Sequence, residues 1–338
     1  MRRVLVPARL SHRDPPFGGE VHALEGRSMG TTWSVKVVLP DPAMLAGVRA
    51  GIDDGLALVV RQMSTWEPDS DLSRFNHAAP GSWCRLPGEC FHVLQQALQT
   101  ARDSGGAYDP TTGTLVNLWG FGPTGRHGET GFRIPTASKL EEARRHTGWQ
   151  RITLDPVSQR AFQPGGICLD LSAIAKGYAV DHVSRSLLLR GLADHLVEIG
   201  GELMGSGLKP DGQPWWVSLE QPLSHVAGAP GLPDNLVALH GLAVATSGDY
   251  RRFFTHEGSA HPHTIDPRTG RPITHGLASV CVLHAQCMLA DAQSTALSVM
   301  GLDEGLAWAN QHGVAALFVQ RVNSGFEERM SNAFAALL

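Results

Sequence analysis

Hydrophobic and polar positions recur along this chain with two different periods. The run from Thr32 to Leu39 alternates and predicts a strand. Apolar residues spaced three and four apart predict helices over residues 43–62, 88–104, 138–147, 173–190, 287–300 and 303–312. Further strands are predicted over residues 151–154, 167–171, 195–199, 215–220, 236–244, 277–284 and 314–321. The chain therefore mixes helices and strands throughout.

Two stretches have no period. Residues 1–26 are rich in Pro, Arg and His, and we expect a disordered N-terminal arm there. Residues 105–131 are rich in Gly, Pro and aromatic side chains. Long ordered loops in compact domains are usually functional, so we predict a functional loop in this stretch.

The order of the elements indicates the fold class. The strands are numerous and unevenly spaced, and helices separate only some of them, which favours α+β with mixed or antiparallel sheets flanked by helices over a regular βαβ alternation. A length of 338 residues allows two domains or one large unit. We interpret residues 27–338 as one domain with two lobes.

Composition and charge exclude several classes of protein. The net charge of −4 provides no electrostatic footprint for nucleic acid. Five cysteines without a C-x-x-C pair indicate neither a zinc site nor a disulfide framework. No apolar run is long enough for a signal peptide or an integral membrane segment, so we expect a cytoplasmic protein as written, or a periplasmic one if the N-terminus is incomplete.

Residues 170–178 carry the first candidate chemistry. We predict that a strand ending at Leu171 leads into a helix with Ser172 as its N-cap and Lys176 one turn further on. The free amides and positive dipole end of such a helix suit a phosphate, and a lysine adds charge. An ordinary helix with a surface lysine explains the same segment equally well.

A second candidate is the pair Asp291 and Thr295, which lie one turn apart on a predicted helix. A carboxylate and a hydroxyl on one face suit Mg²⁺, which keeps waters and shares itself with substrate phosphates. By spacing alone, a solvated helix face is the commoner explanation.

The remaining motifs lie in predicted turns. Within residues 261–270, His263 or Asp266 could act as acid or base, although a β-turn with a capped Asp explains the spacing better. Residues 120–125 fit G-x-G-x-x-G, but they lack the strand and helix of a dinucleotide site, so we predict a turn. Residues 245–250 are predicted to form a ligand-contacting or structural turn.

Taken together, these segments resemble, in order and spacing, the ApbE-type FAD:protein FMN transferases. The resemblance covers about residues 28–301 and is carried by residues 29–33, 63–66, 70–76, 108–110, 116–123, 170–181, 198–202, 245–250, 263–270 and 290–295. It implies a T-fold-related α+β domain. It also implies an enzyme that uses Mg²⁺ to split FAD, moves FMN onto a Thr or Ser hydroxyl of a target protein, and releases AMP.

The resemblance further implies roles for individual residues. Those expected to bind the FAD substrate are Met29, Trp66, Ala107, Tyr108, Asp109, Asp170, Lys176 and Ile265. Those expected to hold Mg²⁺ are Ala173, through its carbonyl, Asp291 and Thr295. His263 is our candidate for taking the proton of the acceptor hydroxyl, with Asp266 as second choice. The expected partner is a flavoprotein that carries a Ser/Thr flavinylation motif.

Two other functions remain open at this point. A metal-dependent FAD pyrophosphatase would pass FMN to water instead of a protein. A non-catalytic FAD-binding carrier or assembly factor would need no metal, so the pair Asp291 and Thr295 distinguishes it from both enzymes.

Overall fold

A computed structural model of the chain describes residues 2–7, 16, 19–222 and 231–338. These residues form two compact units, each assembled from separate stretches of sequence. Unit 1 takes its described residues from Met1–Ala57, Lys176–Gly248 and Gly276–Leu338, and unit 2 from Leu58–Ala175 and Asp249–His275. None of the helices in the described part of the chain is both long and apolar enough to span a bilayer.

The strands and helices are numbered in chain order. The strands are β1 (Arg2–Leu5), β2 (Glu20–Ser28), β3 (Thr31–Leu39), β4 (Ser82–Arg85), β5 (Leu154–Asp155), β6 (Arg160–Gln163), β7 (His195–Ile199), β8 (Glu202–Ser206), β9 (Trp215–Ser218), β10 (Asp234–Leu239), β11 (Leu242–Gly248), β12 (Phe253–His256), β13 (Ser259–Pro262), β14 (Ile265–Asp266), β15 (Arg271–Pro272), β16 (Leu277–His284), β17 (Ala315–Val322) and β18 (Gly325–Met330). The helices are α1 (Leu45–Met63), α2 (Asp71–Asn76), α3 (Gly88–Asp103), α4 (Gly113–Leu118), α5 (Ala137–Arg145), α6 (Ala175–Leu189), α7 (Cys287–Met300), α8 (Leu302–His312) and α9 (Asn332–Ala335).

An eight-stranded sheet is the centre of unit 1. Its order is β18-β17-β16-β11-β8-β7-β3-β2, and every neighbouring pair is antiparallel. A smaller sheet, β1-β10-β9, completes the unit. The core between these elements is apolar and includes Val38, Leu239, Val244, Leu283 and Phe334. Burying such side chains provides about 1.5–3 kcal/mol each, so this core contributes strongly to the stability of unit 1.

Unit 2 has short strands and a separate core. Its three small sheets are β4-β6-β5, β12-β13 and β14-β15. A buried cluster joins α4, α5 and β14 through Leu115, Trp119, Leu140 and Ile265, among others. The indole of Trp119 also donates a 2.8 Å hydrogen bond to the carbonyl of Gly270, so the late segment 249–275 is tied to the early one.

The structure confirms the α+β class and many of the predicted elements. Helix α7 and strands β7 and β16 have the predicted bounds, and β3 begins one residue earlier than predicted. All five cysteines are free.

Six predictions differ from the structure. Of the predicted strand over residues 151–154, only Leu154 lies in a strand, β5, because a 3-10 turn runs up to Arg151. Of the predicted turn over residues 245–250, the first four residues belong to β11. Within residues 1–26, the structure has β1 and most of β2 where we expected disorder; residues 1, 8–15 and 17–18 lie outside the described part. The loop 105–131 contains α4. Residues 236–244 form the ends of two strands, because a turn at Gly241 with φ of 66° separates β10 from β11. Residues 167–171 form no strand and make only an isolated bridge between Cys168 and Thr112.

Candidate functional site

Two tight turns lie at one end of the large sheet of unit 1. Met29 and Gly30, with φ of 54° and 72°, join β2 to β3, and Gly200 and Gly201, with φ of 63° and 100°, join β7 to β8. Turns with two positive φ values match the twist of a hairpin. The amide of Gly200 bonds to the carbonyl of Thr32 at the start of β3, which shows that both turns lie at the same end of the sheet. A methionine with positive φ is uncommon, so this turn holds Met29 in a strained conformation.

A lysine and two carboxylates meet at this end of unit 1. The ammonium of Lys176 donates to Oε1 of Glu202 at 2.5 Å, and it lies 3.9 Å from Oδ1 of Asp291. The other oxygen of Asp291 accepts a 3.0 Å bond from the amide of Gly177. The Glu202 and Asp291 side chains are only 3% and 4% exposed, whereas that of Lys176 is 30% exposed. The Lys176 side chain is therefore partly exposed to solvent, while the two carboxylates that it contacts are buried.

The protonation of this cluster follows from burial and charge. Burial lowers the pKa of Lys176, but Asp291 and Glu202 outweigh it and raise the pKa well above the ordinary value, so the lysine is charged. Burial raises the pKa of Asp291, while Lys176 and the Gly177 amide oppose the rise. One cation facing two carboxylates leaves an excess of negative charge when both are ionised. A divalent cation would neutralise that excess.

Three hydroxyl groups lie next to Asp291 and form a directed chain. The hydroxyl of Ser294 donates to the backbone carbonyl of Asp291 at 2.9 Å. Ser247 lies 2.8 Å from Ser294, so it must donate to that oxygen, whose own proton is in use. Thr295 lies 3.1 Å from Ser247 and by the same logic donates to it. The lone pairs of the Thr295 oxygen are then available to a cation.

These oxygen atoms fit a magnesium ion better than a softer metal. In the described part of the chain, no group of three or more His, Cys, Asp or Glu side chains is placed to hold a metal ion. A carboxylate and a hydroxyl are hard donors and few in number, which suits an ion that keeps several waters and binds substrate phosphates. Of the predicted metal ligands, Asp291 and Thr295 belong to unit 1, and Ala173 belongs to unit 2.

Helix α6 starts two residues later than the predicted helix over residues 173–190. Helix α6 begins at Ala175, so Lys176 is its second residue instead of lying one turn further on. Ser172 is no N-cap; its amide bonds at 2.7 Å to the carboxylate of Asp170, which closes a turn before the helix. The solvated-face explanation for Asp291 is also wrong, because α7 is buried on nearly all sides.

The predicted FAD-binding residues of unit 2 differ in exposure. Trp66 is 47% exposed, and the Cζ atom of the Arg126 guanidinium lies over its ring, 5.5 Å from the ring centre. Ala107, Tyr108 and Ile265 are buried. A ligand that touches this group of residues therefore meets one half-exposed indole ring with Arg126 over it and otherwise mostly buried side chains.

Asp109 has a structural task within unit 2. Its carboxylate accepts bonds from the amide and hydroxyl of Thr111, at 2.8 and 2.6 Å, and from the amide of Trp149 at 3.1 Å. Burial raises its pKa, although the Thr111 and Trp149 bonds oppose the rise. Asp109 also lines a polar cavity of about 350 Å³, together with Gly105, Gly106, Glu141, Arg144, Arg145, Thr147, Gly148, Trp149, Gln150, Pro267 and Arg268. No other residue of the predicted site lines this cavity.

His263 and Asp266 have different surroundings in unit 2. The Nδ1 atom of His263 lies 3.1 Å from the carbonyl oxygen of Arg252, which can only accept, so Nδ1 carries a proton. The carboxylate of Asp266 accepts bonds from the amide and guanidinium of Arg268 at 2.8 and 3.1 Å. Asp266 thus forms the capped turn that the spacing favoured.

Three residues of unit 1 make contacts at the site that the sequence pattern does not predict. Glu202 pairs with Lys176, Ser247 joins the hydroxyl chain, and Asp181 bonds to the start of α7. Glu202 and Ser247 lie 26 and 48 residues from their partners, and Asp181 lies 106 residues from its own. Local spacing carries no signal for contacts at these separations.

Comparisons with known proteins agree with one another. A profile described as the ApbE family matches residues 29–318. The chain is 37% identical over 320 residues to the FAD:protein FMN transferase of Vibrio cholerae serotype O1, covering 94% of this chain and 93% of that protein. It is 36% identical over 325 residues to the protein of the same name from Haemophilus influenzae, covering 94% and 92%. The apo crystal structure of the flavinyl transferase ApbE from Pseudomonas stutzeri superposes with a TM-score of 0.86 and 39% identity, covering 95% of this chain and 98% of that one.

Proposed function

This chain belongs to the ApbE family, and from that premise we propose that it transfers the FMN part of FAD to a Thr or Ser hydroxyl of an acceptor flavoprotein, with Mg²⁺ as cofactor and AMP as the second product. The observation that carries the proposal is the Lys176, Glu202 and Asp291 cluster beside the hydroxyl chain that ends at Thr295. It combines a fixed cation with hard oxygen donors, the two features that a diphosphate substrate requires.

In the proposed reaction the acceptor oxygen bonds to the phosphorus of the FMN half. The bond from that phosphorus to the oxygen of AMP breaks, and AMP leaves with that oxygen. A bound Mg²⁺ would supply charge neutralisation and polarisation at the phosphate, held by Asp291 and Thr295.

The protein's own groups then have separate tasks. Charged Lys176, whose side chain is partly exposed, binds phosphate oxygens through its ammonium group. Glu202, whose side chain is almost fully buried, holds that ammonium in place through its hydrogen bond. His263, whose Nδ1 donates to the carbonyl of Arg252, takes the proton of the acceptor hydroxyl.

The test is a transfer assay with Asp291→Asn, which keeps an oxygen for the Gly177 amide but removes the charge. The protein is incubated with FAD, Mg²⁺ and an acceptor, followed by in-gel fluorescence of the acceptor and chromatography of AMP. We expect Asp291→Asn to lower transfer by at least about 100-fold, since even outer-shell changes at metal sites cost about 10–100-fold. Asp303→Asn, on the exposed start of α8, is the matched control and should stay within about twofold.

Other outcomes would replace the proposal. Free FMN released at a rate that an acceptor does not reduce would make the protein a pyrophosphatase. Tight FAD binding without turnover, unaffected by a chelator and by Asp291→Asn, would make it a carrier.

A further inference from the structure

We infer that Asp181 is a positioning residue for the metal site: it fixes the start of α7 and thereby places Asp291. The inference rests on the proposed function, in which Asp291 binds Mg²⁺. Asp181 lies on α6, about two turns after the helix start where Lys176 lies. Nothing in the proposed reaction requires its carboxylate directly.

Helix α7 has no cap of its own. Gln286 stands at the N-cap position with extended backbone, and its side chain makes no capping bond. The amides of Cys287 and Met288 instead donate to the two oxygens of Asp181, at 2.8 and 2.9 Å. A carboxylate from another helix therefore satisfies the first two free amides of α7 and faces its positive dipole end.

Helix α6 is held in the same way by α7. Its third residue, Gly177, has an amide without an intrahelical partner, and Asp291 accepts its proton at 3.0 Å. Each helix thus caps the start of the other with one carboxylate. A shift of either helix start therefore strains all three bonds.

The first turns of α6 and α7 also contact each other through backbone atoms. A Cβ atom placed on Gly177 would lie 2.4 Å from the carbonyl oxygen of Cys287 and 2.8 Å from the Cα of Met288. Cys287 and Asp291 are four residues apart and lie on the same face of α7. The position at which Asp181 holds Cys287 consequently sets the position of Asp291 one turn later.

Burial raises the pKa of Asp181 to about 6, although its bonds to Met288 and Cys287 oppose the rise, so the carboxylate is ionised at pH 7. Both of its oxygens are then acceptors. Asn at this position would accept only one of the two amides and would turn an N–H group toward the other. Asp181→Asn should therefore resemble Asp181→Ala more than the wild type.

The experiment compares Asp181→Ala with Ser331→Ala. Ser331 is the N-cap of α9 in the same unit, and its hydroxyl oxygen also accepts from two backbone amides, those of Phe334 and Ala316. Both variants lose a cap of similar kind, so a general loss of stability affects both. The first readout is binding of Mn²⁺, as a spectroscopic substitute for Mg²⁺, to the FAD-free protein by electron paramagnetic resonance.

We expect Asp181→Ala to weaken Mn²⁺ binding by about 10–100-fold, as other displaced outer-shell groups do, and Ser331→Ala to leave it within about twofold. The Mg²⁺ concentration for half-maximal transfer should rise by the same factor as the Mn²⁺ dissociation constant, with kcat largely recovered at saturating Mg²⁺. Equal Mn²⁺ affinity in the two variants would overturn the inference.

Asp291→Asn separates this result from a failure of the proposed function. If Asp291→Asn loses Mn²⁺ binding while Asp181→Ala keeps it, only the positioning role is wrong. If neither variant changes Mn²⁺ binding, the metal site itself is wrong.

Discussion

At the scale of single residues, Gly177 shows why two helices can approach so closely. The absence of a side chain lets the carbonyl of Cys287 pass within contact distance of its Cα. Glycine within the first turn of a helix is otherwise unfavourable, at a cost of about 0.5–1 kcal/mol relative to alanine. The residue is therefore explained by packing and not by helix propensity.

Gly177→Ala should destabilise the protein by about 1–3 kcal/mol, since backbone atoms cannot yield to the added methyl group. Gly47→Ala is the control, because it lies in α1 with no atom within 4 Å of the added Cβ and should stabilise by about 0.5–1 kcal/mol. Urea unfolding midpoints measure both. Similar midpoints for the two variants would contradict the packing argument.

The site itself is predictable only in part from the sequence. Asp291 and Thr295 stand in one short motif, and their spacing on a predicted helix suits Mg²⁺, although a solvated helix face is the commoner explanation of that spacing. The partners that define their chemistry lie far away in the chain: Gly177 is 114 residues from Asp291. Such contacts depend on the fold of the sheet between them, which no local pattern specifies.

At the scale of elements, segments with strong hydrophobic periodicity have the predicted bounds, whereas the short alternating segment 167–171 does not form the predicted strand. Strands β7 and β16 and helix α7 have clear periods and the predicted bounds. Residues 167–171 also alternate, with Ile167, Leu169 and Leu171 buried, but they pair with a side chain instead of a strand. The amide group of Asn76 accepts from the amide of Leu169 at 2.7 Å and donates to its carbonyl at 2.9 Å.

Asn76→Asp should therefore cost about 2 kcal/mol, because a carboxylate cannot donate to the Leu169 carbonyl and leaves it unsatisfied. Asn332→Asp, at the exposed first position of α9, should change stability by less than about 0.5 kcal/mol. Thermal unfolding followed by circular dichroism gives the comparison. An Asn76→Asp protein as stable as Asn332→Asp would mean that the paired amide contributes nothing.

At the scale of the whole molecule, a buried histidine links stability to pH. His195 on β7 is fully buried, with Nε2 2.8 Å from the hydroxyl of Ser184 and Nδ1 2.9 Å from the carbonyl of Leu192. Burial lowers its pKa to about 4, although Leu192 and Asp194 oppose the shift. The folded protein therefore holds a neutral imidazole where the unfolded chain takes up a proton near pH 6.5.

The sign of the effect follows from that difference. The stabilisation linked to His195 is fully present above pH 6.5 and is lost as the pH falls from 6.5 to 4. Over that range the free energy of unfolding falls by about 3 kcal/mol. In His195→Gln the free energy of unfolding should depend less on pH in this range, whereas His312→Gln, at the exposed end of α8, should keep the wild-type slope. Parallel slopes for both variants, measured by urea unfolding at several pH values, would contradict the assignment to His195.

The order of strands in the large sheet has a consequence for how the protein is made. From one edge to the other the order is β2, β3, β7, β8, β11, β16, β17 and β18, which is the order in which a ribosome produces them. Each new strand can pair with the one made just before it, and the growing edge moves across the sheet in step with translation. The longest wait falls between β3 and β7, while residues 40–194 are produced, on the order of 10 s at ordinary rates of synthesis. During that time β3 is the open edge, and most of unit 2 emerges before β7 closes it.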